Sequence, residues 1–121
     1  MFILKEKTKS SIIEESFELA YTDIDKKGVW AKIIEWKKKN YKLITYMSFD
    51  IADYTIIGGL YNKIKFEGAQ LKLLDTRTPF NFYWLAAKDI VSAKLAENTD
   101  TNYQALSLTM RGKYTVQIRP A

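Results

Sequence analysis

Asp25-Lys26-Lys27-Gly28-Val29-Trp30-Ala31-Lys32-Ile33-Ile34-Glu35-Trp36-Lys37-Lys38-Lys39-Asn40-Tyr41 is the stretch on which the fold turns. Two periods compete in it. Val29, Trp30, Ile33, Ile34 and Trp36 make an acceptable apolar helix face with most of the lysines opposite, whereas the β-branched and aromatic content of Val29 to Trp36 suits a half-buried strand. The flanking residues favour the strand. Upstream, Phe17, Leu19 and Tyr21 alternate with Glu18, Ala20 and Thr22, the two-residue period of a strand from Ser16 to Ile24. Asp25-Lys26-Lys27-Gly28 then supplies a turn that Gly28 can close with a positive φ. Downstream, placing Trp36 opposite Tyr41 sets Glu35 against Lys42, Ile34 against Leu43 and Ile33 against Ile44, a sensible pairing on both faces. The expectation is two successive hairpins, with Lys37-Lys38-Lys39 at the second tip and Trp36 and Tyr41 just below it.

Working outward, Tyr54 to Phe66 reads as extended but bulged or sharply curved at Gly58-Gly59, where two residues offer no side chain to pack. Gln70 to Leu74 reads as a short strand, and Tyr103 to Met110, the turn Arg111-Gly112 and Tyr114 to Arg119 as a hairpin. Pro79 to Glu97 fits either a helix begun at Thr78-Pro79 or a strand at each end. Ser11-Ile12-Ile13-Glu14 has the form of a capping box for a short helix. No repeat or linker divides the 121 residues, so 1–121 is expected to be a single domain. The expected fold class is mainly β, a small antiparallel barrel or sandwich with one or two short helices. An OB-like barrel is compatible with the strand count and α+β is the alternative.

Composition removes much chemistry. The chain has neither cysteine nor histidine, so disulfides, thiolate nucleophiles, the commonest metal ligand and the commonest neutral-pH proton shuttle are all missing. Asp23-Ile24-Asp25-Lys26-Lys27-Gly28 begins like a calcium loop, but Lys27 and Ile34 stand where oxygen ligands are required. Asp50 and Asp53 read as turn formers. Gly58-Gly59 lacks the lysine and hydroxyl of a phosphate loop, and no serine sits in a nucleophile elbow. No cofactor and no enzymatic activity are expected. Phe2-Ile3-Leu4 falls short of a signal-peptide core, and the longest uncharged runs, 78–87 and 101–110, are too short to span a bilayer as helices. The expected setting is cytoplasmic, with no membrane partner.

What remains is where the charge sits. Residues 26–42 carry seven basic groups and one acidic, more than the whole net charge of +5. Lysines there interleave with aromatic rings, the two materials that single-stranded nucleic acid requires: cations to displace counterions and flat rings on which bases stack. The expected function is therefore non-enzymatic binding of nucleic acid, preferring single strands. Lys32, Lys37, Lys38, Lys39, Lys42, Arg111 and Lys113 would meet phosphates, and Trp36 and Tyr41 would stack on bases. Size and composition suit a phage or mobile-element accessory protein. Two rivals stand beside this reading. One is an assembly module that pairs copies of the chain through Phe80, Phe82, Tyr83 and Trp84. The other is an inhibitor that docks a basic hairpin on an acidic protein. The nucleic-acid reading depends on the lysines and their neighbouring rings facing outward together.

Overall fold

The computed structural model describes residues 21–49, 55–78, 80–98 and 100–121. The capping-box helix, the first half of the expected strand from Ser16, and Asp50 and Asp53 lie outside those residues. β1 (Tyr21–Ile24) leads into a 13-residue helix, α1 (Lys26–Lys38), and not into a hairpin. Eight further strands follow: β2 (Leu43–Phe49), β3 (Thr55–Tyr61), β4 (Lys63–Glu67), β5 (Gln70–Leu74), β6 (Phe82–Ala86), β7 (Ile90–Asn98), β8 (Tyr103–Met110) and β9 (Tyr114–Pro120). A single turn of 3-10 helix, Ala87–Asp89, separates β6 from β7. Pro79 to Glu97 thus takes the second of its two readings, a strand at each end.

The strand expected over Val29 to Trp36 is corrected to helix, and both helix ends show why. Asp25, in extended geometry, accepts the Gly28 N–H at 2.7 Å and so caps the first turn instead of opening a hairpin. At the other end Asn40 adopts φ 58°, the Tyr41 N–H donates to the Trp36 carbonyl and the Asn40 N–H to the Lys37 carbonyl. That crossed pair is a Schellman motif. Lys37 and Lys38 occupy the last turn, where cations favour the helix dipole. Val29, Ile33 and Trp36 are the buried positions, spaced four and three apart as one helical face demands.

All pairing is antiparallel in two sheets, of order β1-β7-β8-β9-β2-β3 and β4-β5-β6. The architecture is mainly β, as expected, and sandwich-like. The barrel alternative is not realised, because β1 and β3 end the large sheet without pairing to each other. The chain passes between sheets at Asn62, which alone separates β3 from β4, and at the 3-10 turn. One face of the large sheet supplies Leu43, Leu106, Leu108, Val116 and Ile118 to the core. Against it pack the helix face and the inner face of the small sheet, Ile64, Leu71, Leu73 and Leu85. The helix lies against β1 and β7. No described helix is long and apolar enough to cross a membrane.

Trp36 is 0% exposed, and its indole N–H donates to Gln104 Oε1 at 3.0 Å, joining α1 to β8. The same oxygen accepts from Lys32 Nζ at 3.4 Å, and Lys32 also pairs with Glu97 at 3.0 Å and Glu35 at 3.2 Å. Burial alone would lower the Lys32 pKa, but the two carboxylates outweigh it and hold the ammonium above its ordinary value. The expected Gly58-Gly59 irregularity is present: Thr45 faces Gly59 and Tyr46 faces Ile57, so β3 carries one extra residue there. A Cβ on Gly59 would stand 2.9 Å from both Asn81 Oδ1 and Tyr61 Oη, and the buried Tyr61 has no room to yield.

Two stability predictions follow from these contacts. Trp36→Phe, which keeps a large ring but removes the donor to Gln104, lowers unfolding stability by about 1–3 kcal/mol in urea denaturation. Gly59→Ala costs a similar amount, about 1–3 kcal/mol, through overpacking. Unchanged denaturation midpoints would contradict both assignments.

Candidate nucleic-acid interface

The structure divides the residues singled out from sequence. Trp36 is sealed in the core and has no face to offer a base, so its stacking role is corrected. Lys32 is committed to Glu35, Glu97 and Gln104. Lys37, Lys38, Lys39 and Lys42 are exposed around the C-terminal end of α1. Of these, Lys39 pairs with Glu35 at 3.3 Å and lies 5.8 Å from the Tyr41 ring centroid, and Lys37 sits 5.5 Å over the Phe66 ring. Tyr41 is half-buried against the core. Arg111 and Lys113 belong to the β8–β9 turn. The β2–β9 register pairs Leu43 with Pro120 at one end and Phe49 with Tyr114 at the other. The turn is therefore six residue steps from the lysine cluster, roughly 20 Å at about 3.3 Å per residue. The expected single surface is not formed.

A different surface is formed, on the outer face of the small sheet. Its register sets Lys63, Leu74 and Phe82 in one row, Lys65, Lys72 and Trp84 in the next, and Glu67, Gln70 and Ala86 in a third. Alternation turns the intervening Ile64, Leu71, Leu73 and Leu85 inward, where they are buried. Phe82 and Trp84 are left 50% and 53% exposed with ring centroids 6.4 Å apart, and Phe80 beside them is 90% exposed. Lys72 Nζ lies 4.3 Å from the Trp84 centroid and 3.1 Å from Glu67 Oε1, while Lys65 approaches Glu67 more loosely at 3.9 Å. Three lysines against one glutamate leave this face positive. Arg111 borders it after all, since its guanidinium donates to the Lys88 carbonyl at 3.0 Å in the segment directly after β6.

The loop that delivers Phe80 and Phe82 is held by Asp75. Asp75 Oδ1 accepts from the Arg77 side chain at 3.1 Å and the Arg77 backbone N–H at 3.0 Å, Oδ2 accepts from Asn81 at 3.4 Å, and the Asp75 N–H donates to the Asn81 carbonyl at 3.2 Å. Asn62, at the corner between sheets, donates to Thr76 Oγ1 at 2.8 Å and accepts the Thr76 N–H at 3.0 Å. Arg77 beside it holds the Asp75 carboxyl below the usual carboxylate range, helped by the backbone N–H and by Asn81. Among the described residues no group of three or more Asp or Glu side chains could hold a metal ion.

Lys63 and Lys65 alternate along β4 as the sequence suggests. Lys72 escaped notice because its value comes from the strands on either side of it. Phe82 and Trp84 were visible as an aromatic run, but only the cross-strand register shows that these two face solvent while Tyr83 turns to the core. There, burial pushes the Tyr83 phenol well above its ordinary pKa, with Tyr114 adding to the shift.

A depressed carboxyl contributes stability that is present above its unfolded pKa and lost as pH falls through the folded one. Asp75→Asn is thus expected to be less stable than the parent chain at neutral pH, with the gap closing on acidification below the normal aspartate range. Thermal unfolding over a pH series measures it, and a gap independent of pH would contradict the assignment.

No protein-family model, no curated protein and no solved structure matches the chain.

Proposed function

We propose that the protein binds single-stranded nucleic acid on the outer face of β4-β5-β6. The reading rests on one observation: Trp84 and Phe82 are exposed on the same face, and in the same rows, as Lys63, Lys65 and Lys72. Large rings half open to solvent cost hydration free energy that a purely structural role would avoid by turning them inward. Here the two rings stand 6.4 Å apart, tilted by 54° to each other, beside ammonium groups on one sheet face, which places stacking surfaces and phosphate partners within reach of one strand. Single strands are preferred because only unpaired bases present their faces to a ring. Lys37 and Arg111 flank the sheet and extend its positive field. Lys38, Lys39 and Lys42 contribute to long-range attraction of a polyanion and make no base contact. The protein acts without catalysis, in the cytoplasm, and its size remains suited to a phage or mobile-element accessory role.

A second reading has its own observation. β6 ends the small sheet with no strand on its outer side among the described residues, and Phe80 stands almost fully exposed beside it. A second copy of the chain would cover both. That reading calls for a concentration-dependent dimer in sedimentation that Trp84→Ala disperses.

Titration with labelled oligonucleotides over a salt series tests the first. Affinity for single strands is expected to exceed that for duplex and to fall steeply with salt, with quenching of tryptophan fluorescence. Trp84→Ala loses about 1–3 kcal/mol for one stacked base. Joint replacement of Lys63, Lys65 and Lys72 by Ala flattens the salt slope by about 2. Lys37→Ala with Lys38→Ala and Lys39→Ala leaves the fluorescence quench in place. Absence of binding at low salt, or quenching that survives Trp84→Ala, would refute the proposal.

A further inference from the structure

The opposite side of the large sheet holds a feature that the interface does not use. Tyr41, Ile44, Tyr46, Thr101, Tyr103 and Arg119 line an open cleft of about 600 Å³ at the end of the sheet where β2 begins and β9 finishes, together with Asn102, Gln104 and residues 120–121. Ile44 and Arg119 face each other across β2 and β9. The volume is within the range of small-molecule sites.

Arg119 defines its chemistry. The partly buried guanidinium lies 4.6 Å from the Tyr46 ring centroid and 5.7 Å from that of Tyr103, and it donates to Tyr46 Oη at 2.6 Å and Tyr103 Oη at 3.1 Å. Among the described residues no carboxylate lies within ion-pair distance of it. A half-buried arginine commonly has one, because its charge is costly to desolvate unless paired. Burial lowers its pKa, but the hydrogen bonds to Tyr103 and Tyr46 more than compensate, so the charge is retained. Each phenol that accepts from Arg119 keeps its own proton for a further acceptor. The cleft therefore presents a fixed cation with unused N–H groups and two phenolic O–H donors, and none of these can be satisfied by another donor. Beside the cleft the Lys39 ammonium stands 5.8 Å from the Tyr41 ring centroid while paired with Glu35, and the Lys42 carbonyl accepts the Ala121 N–H at 2.8 Å.

We infer that this cleft binds a phosphate monoester of nucleotide size, its phosphate held by Arg119, Tyr46 and Tyr103. Phosphate suits this arrangement because the guanidinium offers it two parallel hydrogen bonds and the two phenols supply donors for its remaining oxygens. Bare phosphate would fill only a small part of the volume, so the ligand carries an organic group that reaches Tyr41 and Ile44. The site is separate from the small sheet and does not depend on strand binding there.

Isothermal titration of the full chain with adenosine 5′-monophosphate tests this, with adenosine and inorganic phosphate in parallel. The nucleotide is expected to bind at least about tenfold more tightly than either fragment and to raise the thermal unfolding midpoint. Arg119→Lys keeps the charge but loses the paired donors and weakens binding by about tenfold or more. Tyr103→Phe, which keeps the ring and removes one O–H, weakens it by a smaller factor and guards against misfolding of the arginine variant. Trp84→Ala leaves it unchanged. No heat and no midpoint shift at millimolar nucleotide, equal affinity for adenosine, or full binding by Arg119→Lys would each overturn the inference.

Discussion

Burial of the Trp36 indole holds the two layers of this protein together. Covering such a ring removes roughly 200 Å² from water, about 5 kcal/mol before any entropy is charged, and the indole N–H finds an acceptor, Gln104, on a strand far away in sequence. Gln104 in turn receives Lys32, so one side-chain amide fixes both the rotation of α1 and its height above the large sheet. Because that rotation is fixed, Val29 and Ile33 point at the core and the lysines of the last helical turn point away. The distribution of positive charge on this side of the molecule is a consequence of where one ring is stored.

The same ring marks the limit of what the sequence discloses. Gln70 to Leu74 and the last strand were legible because each buries one face and leaves the other more open, which imposes a period of two. Asp25 to Tyr41 was not, since every cue there serves two geometries. An Asp before Lys26-Lys27-Gly28 opens a turn or caps a helix. An Asn after three lysines closes a hairpin or takes the left-handed position beyond a helix. β-branched and aromatic residues at 29, 30, 33, 34 and 36 satisfy a strand by composition and a helix by spacing. The decision is made by tertiary contact, through the indole N–H and the core that receives Val29 and Ile33, and local propensity does not contain it.

The candidate interface was half legible for a related reason. Cations and rings were sought together and the second aromatic cluster was noticed, but the densest run of lysines lies away from the rings that the small sheet leaves exposed. Lysine runs report where a chain is wet. They do not report which rings are wet, which depends on how β4, β5 and β6 are staggered. Rows such as Lys65, Lys72 and Trp84 combine residues drawn from three strands, and no window of contiguous sequence holds them together.

The position of β9 between β8 and β2 bears on how the chain reaches this state during synthesis. Small-sheet hairpins involve neighbours in sequence and can form as they leave the ribosome. The large sheet cannot be joined until Tyr114–Pro120 has been made, because that strand bridges its two halves. Until then β2-β3 and β7-β8 persist as separate ribbons, each with a bare hydrogen-bonding edge and an uncovered apolar side. Nonlocal closure is thus built into the topology itself, which slows folding and leaves strand edges open to mispairing until β9 docks.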